Sequence, residues 1–380
     1  MSSQNKLSSH RKAIVVVADK KLLPVACCVH LSCLECGELD GETTLFLITD
    51  SISRDELHKA KSFFSQRARR VRILVARLGS SAKYKASGHL TAASYIRLHL
   101  DEYLGQEWDR VLYLDADTRV MASLRPLLSA NLRGQPLIAA HDFMGLYQQE
   151  QLADCRSRLS LNQNAPYFNS GVLLFDWPQV LAGDYLKRAR QYAQEHSDLR
   201  FGDQDALNVV FEGHWTPLEL LWNCNPRWLP PHVTPFIAHF FGADKPWQGR
   251  DLKRKKNRSW RSHNRWFQEK LSKSPWPDFV CTEKPRVITP SGQIRAVFLK
   301  LCIAGLGVRR VTGIWRKLYP SSYSKLNRFL RKWRKEIGVN RTAMFATQLL
   351  GEGIQPHQRE KQPKAEVFAR EASRKAVQVR

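Results

Sequence analysis

No run of 18 consecutive apolar residues occurs anywhere in the 380-residue chain, so no helical bilayer span is expected. The first residues, MSSQNKLSSHRK, lack the apolar stretch of a signal peptide, and the expectation is a cytoplasmic protein. Eight cysteines are present, but Cys33 and Cys36 make one C-x-x-C with no second pair at matching spacing. That omission argues against a paired-knuckle zinc site or a small secreted disulfide framework, and leaves reduced thiols packed as small side chains. Acidic residues are few: 35 Asp and Glu against 60 Lys and Arg.

The basic excess is uneven. Residues 251–380 carry 31 Lys and Arg against 9 Asp and Glu, so 22 of the 25 net positive charges lie there and the first 250 residues are nearly neutral. The chain therefore divides into a neutral body and a basic tail. The expected boundaries are a disordered N-terminus over 1–11, a catalytic body over 12–250, a basic linker over 251–290, a basic amphipathic helical region over 291–350 and a disordered tail over 351–380. No helix-turn-helix pattern, zinc pattern or aromatic RNA platform accompanies the charge, and no nucleic-acid partner is expected, although a nucleic-acid-binding protein using the tail stands as the rival of a different class.

Within the body, short β-rich runs alternate with helical patterns, as in a mostly parallel sheet covered by helices. Strands are predicted over residues 12–19, 43–50, 71–76, 110–114 and 171–175. Helices are predicted from Pro24 through Cys36, from Arg54 to Arg67, from Thr91 to Leu104, from Gln179 to Glu195 and from Gln204 to Phe211. Pro24 suits a first helical turn, whose amides have no partner in any case.

The strand VLYLD feeds the pair Asp115 and Asp117, with Ala116 between them. In an extended segment such residues project to one side and converge on a single hard cation, and a divalent metal carrying a nucleotide diphosphate would neutralise both carboxylates. Asp19 and Asp50 end two further strands, so one rim of the sheet is anionic, and such rims are where parallel folds place ligands.

Six blocks, VVVADKKLLP, LTAASYIRLHL, VLYLDADTRV, FNSGVLLFD, GDQDALN and HFFGADKPW, occur in order over roughly residues 12–250. Together they resemble glycosyltransferase family 8, the retaining enzymes that include bacterial lipopolysaccharide galactosyl- and glucosyltransferases and glycogenin. The resemblance implies a GT-A type fold. It implies Ala18 and Asp19 at the uracil and ribose, Arg97 near the diphosphate or sugar, and Asp115, Asp117 and His239 as ligands of Mn²⁺ or Mg²⁺. Ala116 belongs to the same donor-binding set. Gly242 and Lys245 would lie against the diphosphate, and Asn169, Ser170 and Gly171 against the donor sugar. Asp203 and Gln204 match the pair beneath the sugar ring, which the resemblance makes the catalytic pair and the candidates for nucleophile in a covalent route, and Asp142 corresponds to a sugar- or acceptor-facing acid.

The implied reaction moves a glucose or galactose from a UDP-sugar to an acceptor hydroxyl with retention, by a front-face route in preference to a covalent one. Tryptophan and phenylalanine on the apolar side of a basic helix between Ile294 and Ile337 match an interfacial anchor on anionic headgroups. The expected acceptor is then a lipopolysaccharide core or other lipid-linked glycan, with the enzyme peripheral on the inner face of the membrane. A protein or self-glycosylating acceptor, with Tyr147, Tyr167 or Tyr185 as hydroxyl, is the alternative.

Overall fold

Seven strands assemble into one sheet. Those strands are β1 (Lys12–Ala18), β2 (Thr43–Thr49), β3 (Val71–Val75), β4 (Arg110–Asp115), β6 (Leu137–His141), β7 (Phe168–Asp176) and β8 (Thr216–Leu218), in the order β3-β2-β1-β4-β7-β6-β8. The central members β1, β4 and β7 bury both faces, while the edge strand β3 stays partly exposed. A computed structural model describes residues 11–279 apart from 51, 66, 68–69, 77–91, 143, 145–148, 197, 227–233, 243–244 and 249–257. The expected tail helix between 294 and 337, the termini and Tyr147 lie outside the described residues.

The unbroken valines of β1 follow from helices on both sides of the sheet. Ala13, Val15 and Val17 enter one core cluster, while Ile14, Val16 and Ala18 enter the other. All pairings are parallel except those of β7, which runs antiparallel to both β4 and β6. The expected mostly parallel α/β sheet is therefore present. Two short strands, β5 (Thr118–Val120) and β9 (Ile237–His239), form a separate antiparallel ribbon directly after β4.

The Leu23–Cys36 helix starts at Pro24 as expected and buries Cys27, Cys28 and Cys33. All six described cysteines are free, and burial pushes the Cys28 thiol up to about 12. Two expected helices differ in form. The segment Ala92–His99 is a 3₁₀ helix followed by a four-residue α-helix, Leu100–Tyr103, and Arg97 Nε donates to the Ser94 carbonyl at 3.2 Å within it. The single helix expected over 179–195 is two, Trp177–Ala182 and Tyr185–Glu195, because Asp184 takes a left-handed conformation (φ 50°) that a continuous helix does not allow.

The expected linker from residue 251 needs correction. The compact unit holding the described residues runs over Met1–Thr282, and Arg258–Ser272 is a helix within it. Trp260, His263, Asn264, Phe267 and Leu271 recur at three- and four-residue steps and are buried, while Arg261 and Arg265 face solvent. Part of the stretch expected as a solvated linker is thus a packed helix, with Arg261 and Arg265 on its outer face. No helix among the described residues is long and apolar enough to cross a membrane.

Candidate active site

Strand ends place the site. Val17 of β1 pairs with Asp115 of β4, so Ala18 and Asp115 reach the same rim of the sheet. The chain then turns through Ala116 and Asp117 into β5, whose Thr118 lies opposite His239 of β9. A backbone bond from the Phe240 amide to the Asp117 carbonyl (2.8 Å) closes that ribbon. Residues 115 and 239, far apart in sequence, are thus brought together by three-residue strands.

His239 Nε2 lies 3.1 Å from Asp117 Oδ1 and 3.5 Å from Asp115 Oδ2. One ligand atom from each of the three residues falls within 4.8 Å of the others. The opposite ring nitrogen, Nδ1, donates to Asn223 Oδ1 at 2.7 Å, which leaves Nε2 as the nitrogen turned toward the carboxylates. Two hard carboxylate oxygens and one imidazole nitrogen suit Mn²⁺ or Mg²⁺. The residues present therefore fit a divalent cation.

Cations of the protein surround these acids. Lys245 Nζ lies 2.6 Å from Asp117 Oδ2 and donates to the Phe240 carbonyl at 3.0 Å. Burial works against ionisation of Asp117, but Lys245 and then His239 outweigh it and hold the carboxyl well below the usual range. Arg97, buried, spans the gap to the neighbouring helix: Nη2 is 2.7 Å from Asp115 Oδ1, and Nε is 2.8 Å from Asp203 Oδ2. The Nε hydrogen points to the Ser94 carbonyl, so the Asp203 contact is an ion pair without an aligned hydrogen bond. Nη1 donates to the Ser170 carbonyl (2.9 Å) and hydroxyl (3.0 Å), and the guanidinium stacks over Tyr113 at 4.6 Å. Tyr113 donates its own hydroxyl to Asp115 Oδ1 at 2.8 Å.

Asp203 opens the Asp203–Val210 helix and is 2% exposed. Its burial pushes the carboxyl up to about 7 against the pull of Arg97. Gln204 beside it is fully engaged: Oε1 accepts from the Ser170 amide at 3.0 Å and Nε2 donates to Asp142 Oδ2 at 3.3 Å. Asp142 Oδ2 also accepts from Asn169 Nδ2 at 3.0 Å.

The structure thus joins Arg97, Asp115, Asp117, Asp142, Asn169, Ser170, Asp203, Gln204, His239 and Lys245 in one polar network. Gly171 belongs to it for a reason the sequence did not reveal. A Cβ at this position would stand 2.1 Å from His239 Cε1, so the glycine clears space for the imidazole ring. Ala116 is buried between the two aspartates. Gly242 takes φ +93°, a conformation that favours glycine. Asp19 accepts the amides of Lys21 and Leu22, both at 2.9 Å, as a strand-end turn does. Tyr167, one of the expected alternative acceptors, is buried and donates to Asp205 at 2.6 Å, so its hydroxyl is not offered to a donor sugar.

Sequence reasoning missed Asn223, Tyr113 and Glu219. Asn223 follows a short 3₁₀ turn, Leu220–Trp222, and no motif marks it. Tyr113 was visible only as an apolar strand residue. Glu219 is 5% exposed, no partner of its carboxylate is seen among the described residues, and burial alone pushes it up to about 8.

Comparison with known proteins agrees with this geometry. The model of glycosyl transferase family 8 matches residues 13–251, well over half of the chain, and the chain belongs to that family. It is 22% identical over 277 residues to the lipopolysaccharide 1,3-galactosyltransferase of Salmonella typhimurium, covering 68% of this chain and 77% of that protein. It is 25% identical over 181 residues to General stress protein A of Bacillus subtilis, covering 42% of this chain and 61% of that protein. Against glycosyltransferase GlyF of Streptococcus pneumoniae the identity is 29% over 191 residues, with 47% and 43% covered. The chain thus spans less than two thirds of the length of these last two relatives. The solved galactosyltransferase LgtC, in complex with donor and acceptor sugar analogs, superposes with a TM-score of 0.58 at 23% identity, covering 68% of this chain and 95% of that one. That likeness shows the fold.

Proposed function

We propose that this family 8 glycosyltransferase moves a hexose, glucose or galactose, from a UDP-sugar to an acceptor hydroxyl with retention of configuration, using Mn²⁺ or Mg²⁺. The observation that carries the reading is the arrangement of Asp115, Asp117 and His239 with the imidazole Nε2 turned toward both carboxylates. These three residues would hold the cation, which when bound supplies Lewis-acid charge to the diphosphate.

The remaining chemistry belongs to the chain itself. Lys245 is a cation held by Asp117 and the Phe240 carbonyl, placed to meet charge that grows on a departing diphosphate. In a front-face transfer the bond from the anomeric carbon to the phosphate oxygen breaks, its electron pair stays on that oxygen, and the acceptor oxygen bonds on the same face. The acceptor proton passes to the departing phosphate oxygen. Neither candidate for a covalent route is free: Gln204 is a neutral amide with both ends bonded, and Asp203 is ion-paired to Arg97 with a carboxyl near pH 7. Both instead form a polar floor, and this favours the front-face route.

The acceptor we infer is a lipid-linked glycan such as a lipopolysaccharide core. Support comes from the likeness to the Salmonella galactosyltransferase and from the 31 Lys and Arg carried by residues 251–380, a charge suited to an anionic surface on the cytoplasmic side of a membrane. The test is release of UDP from a panel of nucleotide sugars with Mn²⁺, beside an Asp117→Ala control. Release from one donor, lost in the control, supports the reading. A folded chain that neither binds nor turns over any donor refutes it.

A further inference from the structure

A carboxylate has no hydrogen to donate, and this fixes the direction of every bond in a chain of side chains running from Asp142 to His239. Asp142 Oδ2 accepts from Asn169, so the nitrogen of that amide faces Asp142 and its oxygen faces the other way. The same orientation is required independently by the Gly171 amide, which donates to Asn169 Oδ1 at 3.0 Å. Asn169 Oδ1 then accepts from Asn223 Nδ2 at 2.9 Å, which leaves Asn223 Oδ1 to face the imidazole. His239 Nδ1 lies 2.7 Å from that oxygen and must carry the hydrogen. Asp142 is itself anchored by the Met144 amide on Oδ1 (2.9 Å) and by Gln204 on Oδ2 (3.3 Å). His239, Asn223 and Asp142 are all buried, so water does not offer an alternative set of partners.

We infer that Asn223 and Asn169 are positioning residues that transmit the polarity of Asp142 to His239, holding a hydrogen on Nδ1 so that Nε2 is the nitrogen turned to Asp115 and Asp117, and that they couple the cation ligands to the Gln204 floor of the proposed sugar site. The inference rests on the reading of Asp115, Asp117 and His239 as a cation site. The coupling has a chemical use: a hexose that rearranges the bonds of Gln204 or Asp142 is felt at His239, and a cation drawn to His239 is felt at the sugar floor.

Two substitutions separate the two halves of the chain. Asn223→Ala removes both bonds and leaves Nδ1–H without its acceptor. Asn223→Asp keeps an acceptor for Nδ1–H but presents only oxygens to Asn169 Oδ1, so it preserves the imidazole and cuts the link to the sugar side. The first measurement is the His239 tautomer by ¹⁵N NMR in the metal-free protein, which is independent of any activity. The second is Mn²⁺ affinity from the EPR signal of the free ion, and the third is kcat and donor KM.

The expected result is Nδ1–H in the wild-type chain and in Asn223→Asp. Asn223→Ala should lose about 10- to 100-fold in Mn²⁺ affinity, the range for removal of a group that orients a ligand, while Asn223→Asp stays within about threefold. Asn223→Asp should nevertheless lower kcat about tenfold, and an Asn169→Ala chain should follow it. A wild-type imidazole with no hydrogen on Nδ1 overturns the inference, as does equal loss of Mn²⁺ affinity in the two Asn223 variants, or wild-type affinity in Asn223→Ala. If the wild-type chain binds no Mn²⁺ while the NMR shows Nδ1–H, the cation reading fails and the hydrogen-bond chain stands.

Discussion

Replacing Gly171 by alanine adds one methyl group at the most crowded point of the site. That carbon would stand 2.1 Å from Cε1, 2.5 Å from Nδ1 and 2.9 Å from Nε2 of His239. Non-bonded carbons rest at about 3.5–4.0 Å, so either the ring or β7 must retreat by more than about 1 Å. The ring has little freedom to do so. It is 3% exposed, bonded to Asn223 at 2.7 Å and packed edge-on against Phe241 at 5.2 Å. The glycine is not one of those held at positive φ, so alanine meets no backbone penalty there and the whole cost falls on the contact with the imidazole.

Forcing an extra methyl into such a site costs about 1–3 kcal/mol, equivalent to a fall in Tm of about 2–12 °C for a domain of this size. A ring displaced by even half that distance no longer converges with Asp115 and Asp117, and Mn²⁺ affinity should fall at least about tenfold. Thermal unfolding and EPR titration of Mn²⁺ give the two numbers. The decisive comparison is a double-mutant cycle. In a His239→Ala background the space is empty, and Gly171→Ala should then cost less than about 0.5 kcal/mol. An undiminished cost in that background, or a single variant that binds Mn²⁺ like the wild-type chain, would refute the steric account.

Arg97→Met should destabilise the chain by about 3–5 kcal/mol in urea unfolding, because it strips the buried Asp203 of its counter-ion. Arg97→Lys should recover only part of this, since an ammonium cannot meet Asp115, Asp203 and Ser170 together. Glu219 gives a pH signature. Its folded carboxyl titrates at about 8, above the ordinary value of 4.5, so its stabilising balance is intact below pH 4.5 and is lost as pH rises through 8. Glu219→Gln should therefore match the wild-type chain at pH 4 and exceed it by on the order of 2 kcal/mol at pH 9; a difference that does not change with pH would contradict the role of burial. Phe267→Ala in the Arg258–Ser272 helix should cost about 3–5 kcal/mol by calorimetry and weaken Mn²⁺ binding, because Phe267 packs on Phe240, the residue next to His239, at 5.7 Å.

That helix shows where sequence reading failed and why. Its apolar stripe was present in RSWRSHNRWFQEKLS, but the surrounding charge led to a solvated linker. Charge describes the outer face of a helix as well as it describes a linker, and only the partner on the inner face separates them. Here Phe240 supplies that partner, ringed by Trp260 at 5.5 Å, His263 at 5.0 Å and Phe267. The β4 end was legible in its chemistry, two acids one residue apart beyond an apolar strand, but not in its geometry: the chain turns through Ala116 and Asp117 instead of running on extended, and the turn, not strand alternation, brings the two acids to His239. Gly171 was legible as a place of close approach, but a glycine does not record what approaches it, and the neighbour is an imidazole of the same chain.

The pattern behind these outcomes is one of range. Groups able to hold a ligand are polar residues at strand ends, and their neighbours in sequence betray them. Groups that orient them act across the fold: Asn223 reaches Asn169 over 54 residues, and Arg97 reaches Ser170 over 73. The first asparagine of WNCNP, Asn223, signals a turn by its local preferences. Its role follows from the direction of hydrogen bonds that begin at Asp142, and a carboxylate imposes that direction only once folding has placed it. The residues of the proposed cation site are therefore marked locally, while the hydrogen bond that orients His239 among them is set by the tertiary structure.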